Sequence, residues 1–169
     1  GKIGDVRAAG APPGTQVEVR NLFYNVPVRR KFMKTPATEM AHVTEAVTRL
    51  ALANPGIAFV LRHNGRRVFN LPKAEDRAQR LGEFFGREIA ENIIPFRERY
   101  PEVEIEGYLL PPSVDRSNTT MQYTYVNRRY VREKTLMNAI SEAYRGLMKK
   151  NRRPVCFLFL TIDPGDVDV

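Results

Sequence analysis

Three stretches of this 169-residue chain concentrate positive charge, and they hold the side chains best suited to a chemical task. The first runs from Arg20 to Lys34 and carries Arg29, Arg30 and Lys31, with no Asp or Glu between Glu18 and Glu39. The second, residues 128–134, supplies Arg128, Arg129, Arg132 and Lys134. The third, RGLMKKNRR, supplies Arg145, Lys149, Lys150, Arg152 and Arg153 without an acid among them. Lys and Arg at this density bind phosphate oxygens through charge and hydrogen bonds, without reading a base sequence and with strong salt dependence. The net charge of +8 suits a polyanionic partner. The competing reading is a solvated basic face whose aliphatic stems help packing.

Other chemistry is sparse. The single cysteine, Cys156, excludes an intrachain disulfide and a Cys-based zinc site, and its setting in VCFLFL predicts a packed thiol rather than a nucleophile. His42 falls on a helix face and His63 just before a turn, neither at metal-ligand spacing. Asp163, Asp166 and Asp168 do not match a calcium loop and read as turn formers. No P-loop or GxGxxG is present. Tyr123, Tyr125 and Tyr130 lie near cations, as a base-stacking platform would need, but tyrosines on a sheet face are more often covered by a helix.

The elements that must position these residues follow from periodicity and punctuation. Residues 1–13, rich in Gly, Ala and Pro, read as a leader. Val17 and Val19 alternate with Gln16, Glu18 and Arg20 as in a half-buried strand, and Pro27 suits the first turn of a basic helix. Thr35-Pro36 predicts a cap and first turn for a helix to about Asn54, with Met40, Val43, Val47 and Leu50 inward and Glu39, His42, Glu45 and Arg49 outward. Strands flanking Asn64-Gly65 form a hairpin, and a helix over 75–85 stops at Gly86. IIPFRERY is confined to a sheet edge by Pro95. VEIEGYLLP predicts a strand with Glu104, Glu106 and Tyr108 on a wet face. Strands at 119–127 and 155–162 enclose a helix over 133–148 whose stripe is Leu136, Ile140, Ala143, Tyr144 and Leu147. The sum is an α+β fold, a mixed sheet with helices on one face.

One stretch gathers several of these signals. GTQVEVRNLFYNVPVRRKFM, residues 14–33, followed by Lys34, resembles the segment joining the ATPase domain to the second domain in the MutL family of DNA mismatch repair proteins. HNG at His63 to Gly65, YVNRRYVREK at Tyr125 to Lys134, and IDPGDVDV at the C-terminus continue the resemblance over nearly the whole chain. It implies residues 1–34 as a leader and the end of a GHKL-type ATPase domain with a hinge. It also implies residues 35–169 as a transducer domain of ribosomal-protein-like fold with a left-handed βαβ crossover.

The implied function is DNA mismatch repair, the transducer coupling ATP binding in the preceding domain to DNA and partner-protein binding. The chain begins without Met and is read as part of a longer protein. Of the family's ATP-site elements only Gly14 and Thr15 match. The lysine that reaches the γ-phosphate follows a motif at whose start the chain stops, so this portion is expected to be no enzyme by itself. ATP and Mg belong, on this resemblance, to the full-length protein, which is also a candidate for a C-terminal endonuclease. DNA contact is implied for Arg128, Arg129, Arg132, Lys134, Arg145 and Lys149, with Arg29, Arg30 and Lys31 at DNA or the hinge. Implied partners are DNA, a mismatch-recognition protein of the MutS type, and a second copy. The implied location is cytoplasmic in a bacterium and nuclear in a eukaryote. Arg128 stands where bacterial members more often have Gly, which puts the conformation of that loop in question. The alternative is a stand-alone nucleic-acid-binding module of the same fold.

Overall fold

The computed structural model describes residues 4–6, 8, 10 and 12–167; Asp168 and part of the 1–13 leader lie outside the described residues. The chain forms two compact units, residues 1–39 and 40–169.

In the first unit, residues 15–20 form no strand, contrary to the alternation. A strand needs a neighbour for its N–H and C=O groups, and no described residue pairs with this one, so Val17 and Val19 stay exposed. The predicted basic helix is α1 (Pro27–Lys31), with Pro27 in its first turn.

α2 (Pro36–Ala53) has the expected cap, Thr35 Oγ1 accepting from Thr38 N at 3.3 Å. Its buried residues differ from the predicted stripe. Thr48, Ala51, Leu52 and Ala53 face in, whereas Val43 and Leu50 are exposed. β1 (Phe59–His63) and β2 (Arg66–Leu71) form the predicted hairpin, Asn64 and Gly65 having the two positive φ values of a type I′ turn, 49° and 75°. α3 (Arg77–Phe85) is capped by Asp76 and stopped by Gly86, and the short α4 (Arg87–Asn92) follows.

The main sheet contains β3 (Ile94–Arg99), β4 (Val103–Leu109), β6 (Gln122–Val126), β7 (Arg129–Val131) and β9 (Cys156–Ile162). Two-residue strands β5 (Asp115–Arg116) and β8 (Arg153–Pro154) pair separately. The order is β3-β4-β9-β6-β7, with β6 and β9 parallel and all other neighbours antiparallel. β3 is the edge strand that Pro95 required, and the apolar β9 is central. Helix α5 (Lys134–Ala143) lies in the crossover between β6 and β9. It ends five residues before the predicted limit, because the chain turns at Tyr144 and Gly146 takes a φ of 78°, which leaves Leu147 exposed.

One face of the sheet is an aromatic floor. The register of β6 against β9 sets Tyr123 beside Phe157 and Tyr125 beside Phe159, and both pairs stack, at 5.6 Å and 4.8 Å between ring centres. Such pairs add roughly 0.5–1.5 kcal/mol each beyond the area they bury. Leu52, Leu81, Phe85 and Ile89 of α2, α3 and α4 close over this face. Tyr108 belongs to the same core, so the face of β4 expected to be wet is the covered one. Glu106 on it is held by Arg77 Nη1 at 2.5 Å and by the Tyr108 hydroxyl at 2.5 Å. Gly107 faces the other way, and there the Phe96 ring occupies the space a Cβ would need, 1.9 Å away. The buried Ile140 of α5 and Tyr144 just past its end lie outside the aromatic cluster, Tyr144 donating to Leu110 O at 2.8 Å.

The polar side of α2 meets the tyrosines. Tyr123 donates to Glu45 Oε2 at 3.2 Å, Tyr125 to Arg49 O at 3.1 Å, and the Arg49 guanidinium lies 4.0 Å over the Tyr130 ring. Glu45 and Arg49 are therefore seated on the sheet rather than pointing away, because buried hydroxyls need partners.

Candidate nucleic-acid interface

The cationic segment 128–134 is built on a tight turn. β6 and β7 are joined by Asn127 and Arg128, both left-handed at φ 48° and 66°. Asn127 is favoured there because its short amide tolerates this region; Arg128 is not, yet it adopts the conformation that glycine would take. The turn is also clamped. Asn127 Nδ2 donates to Ile162 O at 2.9 Å, Ile162 N donates to Asn127 Oδ1 at 3.0 Å, and Asn127 N donates to Leu160 O at 2.9 Å. The side chain thus continues the β6–β9 ladder past the end of β6.

Arg128 and Arg129 are exposed, as are Arg132 and Lys134. Among the described residues none of the four has an ion-pair partner; Arg132 donates to Thr119 Oγ1, and the others make no side-chain hydrogen bond. Arg128 also lines a pocket of about 260 Å³ with Arg77, Arg97, Glu104 and Glu106. Glu106 is engaged by Arg77, Arg97 and Tyr108, and Glu104 by Arg97 and Arg99, so Arg128 is the uncompensated charge at the pocket.

The N-terminus of α5 is not an open anion site. Glu133 caps it, Oε2 accepting from Thr135 N at 2.5 Å and Leu136 N at 3.2 Å. Desolvation opposes charge on this carboxyl, but the Leu136, Thr135 and Lys134 backbone N–H groups outweigh it and hold the group below the usual carboxylate range. The neighbouring cations act through their side chains only.

Arg145 and Lys149 separate from this patch. They lie beyond the far end of α5, whose axis runs about 15 Å from Lys134 at the usual helical rise. Arg145 is paired with Glu142, and Arg152 with Asp115, through Nε at 2.6 Å. Arg29, Arg30 and Lys31 are exposed in the last turn of α1, where cations complement the helix dipole. Gly14 and Thr15 are exposed in the first unit. Tyr123 and Tyr125 are core residues and Tyr130 packs edge-on against both, so they offer no stacking platform. Cys156 is fully buried, and burial pushes its thiol up to about 12, as its packed setting predicted.

Sequence reasoning missed one cluster: Arg62, Arg66 and Arg67 at the tip of the β1–β2 hairpin. The signal was available, since no acid occurs between Glu45 and Glu75.

Fold and site together define an α+β domain with a mixed sheet, three helices on its aromatic face, and a clamped cationic turn. Its fold is similar to the Aquifex aeolicus MutL ATPase domain complexed with ADP, at TM-score 0.64 and 24% identity over 89% of this chain and 57% of that one. It is also similar to the ATPase domain from the mismatch repair endonuclease MutL of the same organism, at TM-score 0.66 and 22% identity over 89% and 53%. The model of the family "DNA mismatch repair protein, C-terminal domain" matches residues 81–169. The DNA mismatch repair protein MutL of Syntrophotalea carbinolica is 41% identical over 96% of this chain, and that of Pseudomonas paraeruginosa is 42% identical over 97%. This chain belongs to the MutL family of DNA mismatch repair proteins. It spans about a quarter of the length of these relatives, 26% in both cases.

Proposed function

We propose that this chain is the transducer part of a MutL-type mismatch repair protein, coupling nucleotide binding in a preceding GHKL-type ATPase domain to DNA and partner binding. Residues 1–34 are then the end of the ATPase domain and its hinge, with Gly14 and Thr15 at the nucleotide site, and residues 35–169 the transducer. ATP and Mg act in the longer protein, which hydrolyses ATP. The likeness to an ATPase domain complexed with ADP supports that part of the reading. The exposed Val17, Val19, Tyr24 and Phe32 of the first unit supply an apolar surface for a neighbouring domain. A MutS-type protein and a second copy of the protein are the remaining proposed partners.

The observation that carries DNA contact is a set of four cations, without ion-pair partners among the described residues, on a turn fixed to the central strand. Arg128, Arg129, Arg132 and Lys134 meet phosphates without reading bases, which suits a protein that must act wherever a mismatch falls. Charge reversal of Arg132 and Lys134, in the protein comprising ATPase and transducer regions, is expected to weaken duplex binding. It should also reduce the slope of log affinity against log salt by about 0.9 for each phosphate that is no longer neutralised. An unchanged affinity and slope would move the DNA surface elsewhere.

A further inference from the structure

The β1–β2 hairpin carries a charge arrangement that the fold does not use. Arg62 stands directly opposite Arg67, and His63 opposite Arg66, on either side of the Asn64-Gly65 turn. Like charges in register on adjacent strands destabilise a hairpin. All four residues are exposed, and no described residue forms an ion pair or side-chain hydrogen bond with Arg62, Arg66 or Arg67.

The base of the same hairpin is fixed with unusual care. Arg80, fully buried, sends Nη2 to Pro55 O at 2.7 Å, Ile57 O at 2.8 Å and Pro72 O at 2.8 Å, tying the chain just before β1 to the chain just after β2. Leu71 is buried, and Phe69 meets Phe84 of α3 edge-on at 5.7 Å. A rigid root with an uncompensated cationic tip is the form of an arm that places charges on a ligand. A two-stranded ribbon also fits the major groove of duplex DNA, about 12 Å wide.

We infer that the β1–β2 hairpin is a second DNA-contacting arm, Arg62, Arg66 and Arg67 engaging phosphates of duplex DNA. This rests on the proposed reading that DNA is the polyanion this domain meets, and it is independent of the patch at 128–134. Fluorescence anisotropy of a labelled mixed-sequence duplex, titrated with the whole chain at several salt concentrations, tests it. If all three arginines meet phosphate, R62A/R66A/R67A weakens binding by about 500-fold at 0.1 M salt and flattens the salt slope by about 2.7. The charge-preserving R62K/R66K/R67K stays within about threefold of the parent, because a phosphate contact needs the cation more than the planar fork. Unchanged affinity and slope in the alanine variant overturns the inference. So does equal loss in the alanine and lysine variants, which marks a structural role. Loss of binding to polyglutamate with duplex binding intact also overturns it, in favour of an acidic protein partner. R132E/K134E is measured in parallel: normal binding there with loss in the alanine variant sinks the patch and keeps the arm, and the converse keeps the patch and sinks the arm.

Discussion

Replacing Arg128 with glycine should strengthen the fold and weaken DNA binding at once. Arg128 holds φ 66° at the second position of the β6–β7 turn. A side chain in that region costs roughly 1–2 kcal/mol, which glycine escapes. Glycine in turn gives up about 0.5–1 kcal/mol more backbone entropy on folding. The balance for Arg128→Gly is a gain of about 0.5–1 kcal/mol, or a rise in Tm of about 1–4 °C for a domain of this size. Arg128→Ala removes the same cation but keeps the strain, so its stability should remain within about 0.5 kcal/mol of the parent. On DNA the two variants should agree, each weaker by about eightfold at 0.1 M salt with a slope lower by about 0.9, the signature of one phosphate contact. Urea unfolding and duplex anisotropy on the three proteins separate the effects. Equal stability of the Gly and Ala variants would refute the argument from backbone strain. Equal DNA affinity of all three would remove Arg128 from the interface.

Two further perturbations probe what supports the site. Arg80→Met fills much of the buried volume but strips the donor from Pro55 O, Ile57 O and Pro72 O. A loss of about 3–5 kcal/mol is expected, read as a lower urea midpoint with unchanged slope, and a loss below about 1 kcal/mol would contradict the anchoring role. Glu106 is subject to opposing effects: desolvation raises its pKa, while the Tyr108 hydroxyl and the Arg77 charge lower it and prevail. A carboxyl depressed in the folded state stabilises above its unfolded value, near 4.3, and that contribution is lost as pH falls through the folded value. Unfolding midpoints measured between about pH 5 and pH 2 should therefore fall more steeply for the parent than for Glu106→Gln, and parallel curves would exclude Glu106 as a source of acid sensitivity.

Much of the frame was legible because local signals agreed with tertiary demands. Gly86 stops α3, Asn64-Gly65 turns the hairpin, Pro95 marks the edge, and an uninterrupted apolar run makes β9 central. What failed was the choice between faces. Alternation in β4 defines two sides without saying which a helix will cover, and Tyr108 decided it by joining the aromatic core. In α2 the apolar residues suggested one stripe, but three tyrosines on the sheet required oxygen partners and a cation, and Glu45 and Arg49 supplied them. Val43 and Leu50 were left outside as a consequence. At 128–134 the basic residues were legible. Neither the capping of α5 by Glu133 nor the pairing of Arg145 with Glu142 could be read from charge counts, since both depend on which acid the backbone brings within reach.

The amide clasp of Asn127 on Ile162 has a consequence for how the sheet is assembled. Successive residues of a strand present their backbone groups to opposite neighbours, so a slip of β9 by one residue would turn the groups that Asn127 grips toward β4 instead. The whole aromatic row of β9 would change sides with the same slip, and Asn127 would be left with two unsatisfied polar atoms. Asn127 therefore works as a gauge of strand register, set at the end of β6 and read against the last residue of β9. A chain in which the gauge does not close has the cationic turn untethered as well, so the surface proposed for DNA is complete only in molecules whose central strand is correctly seated.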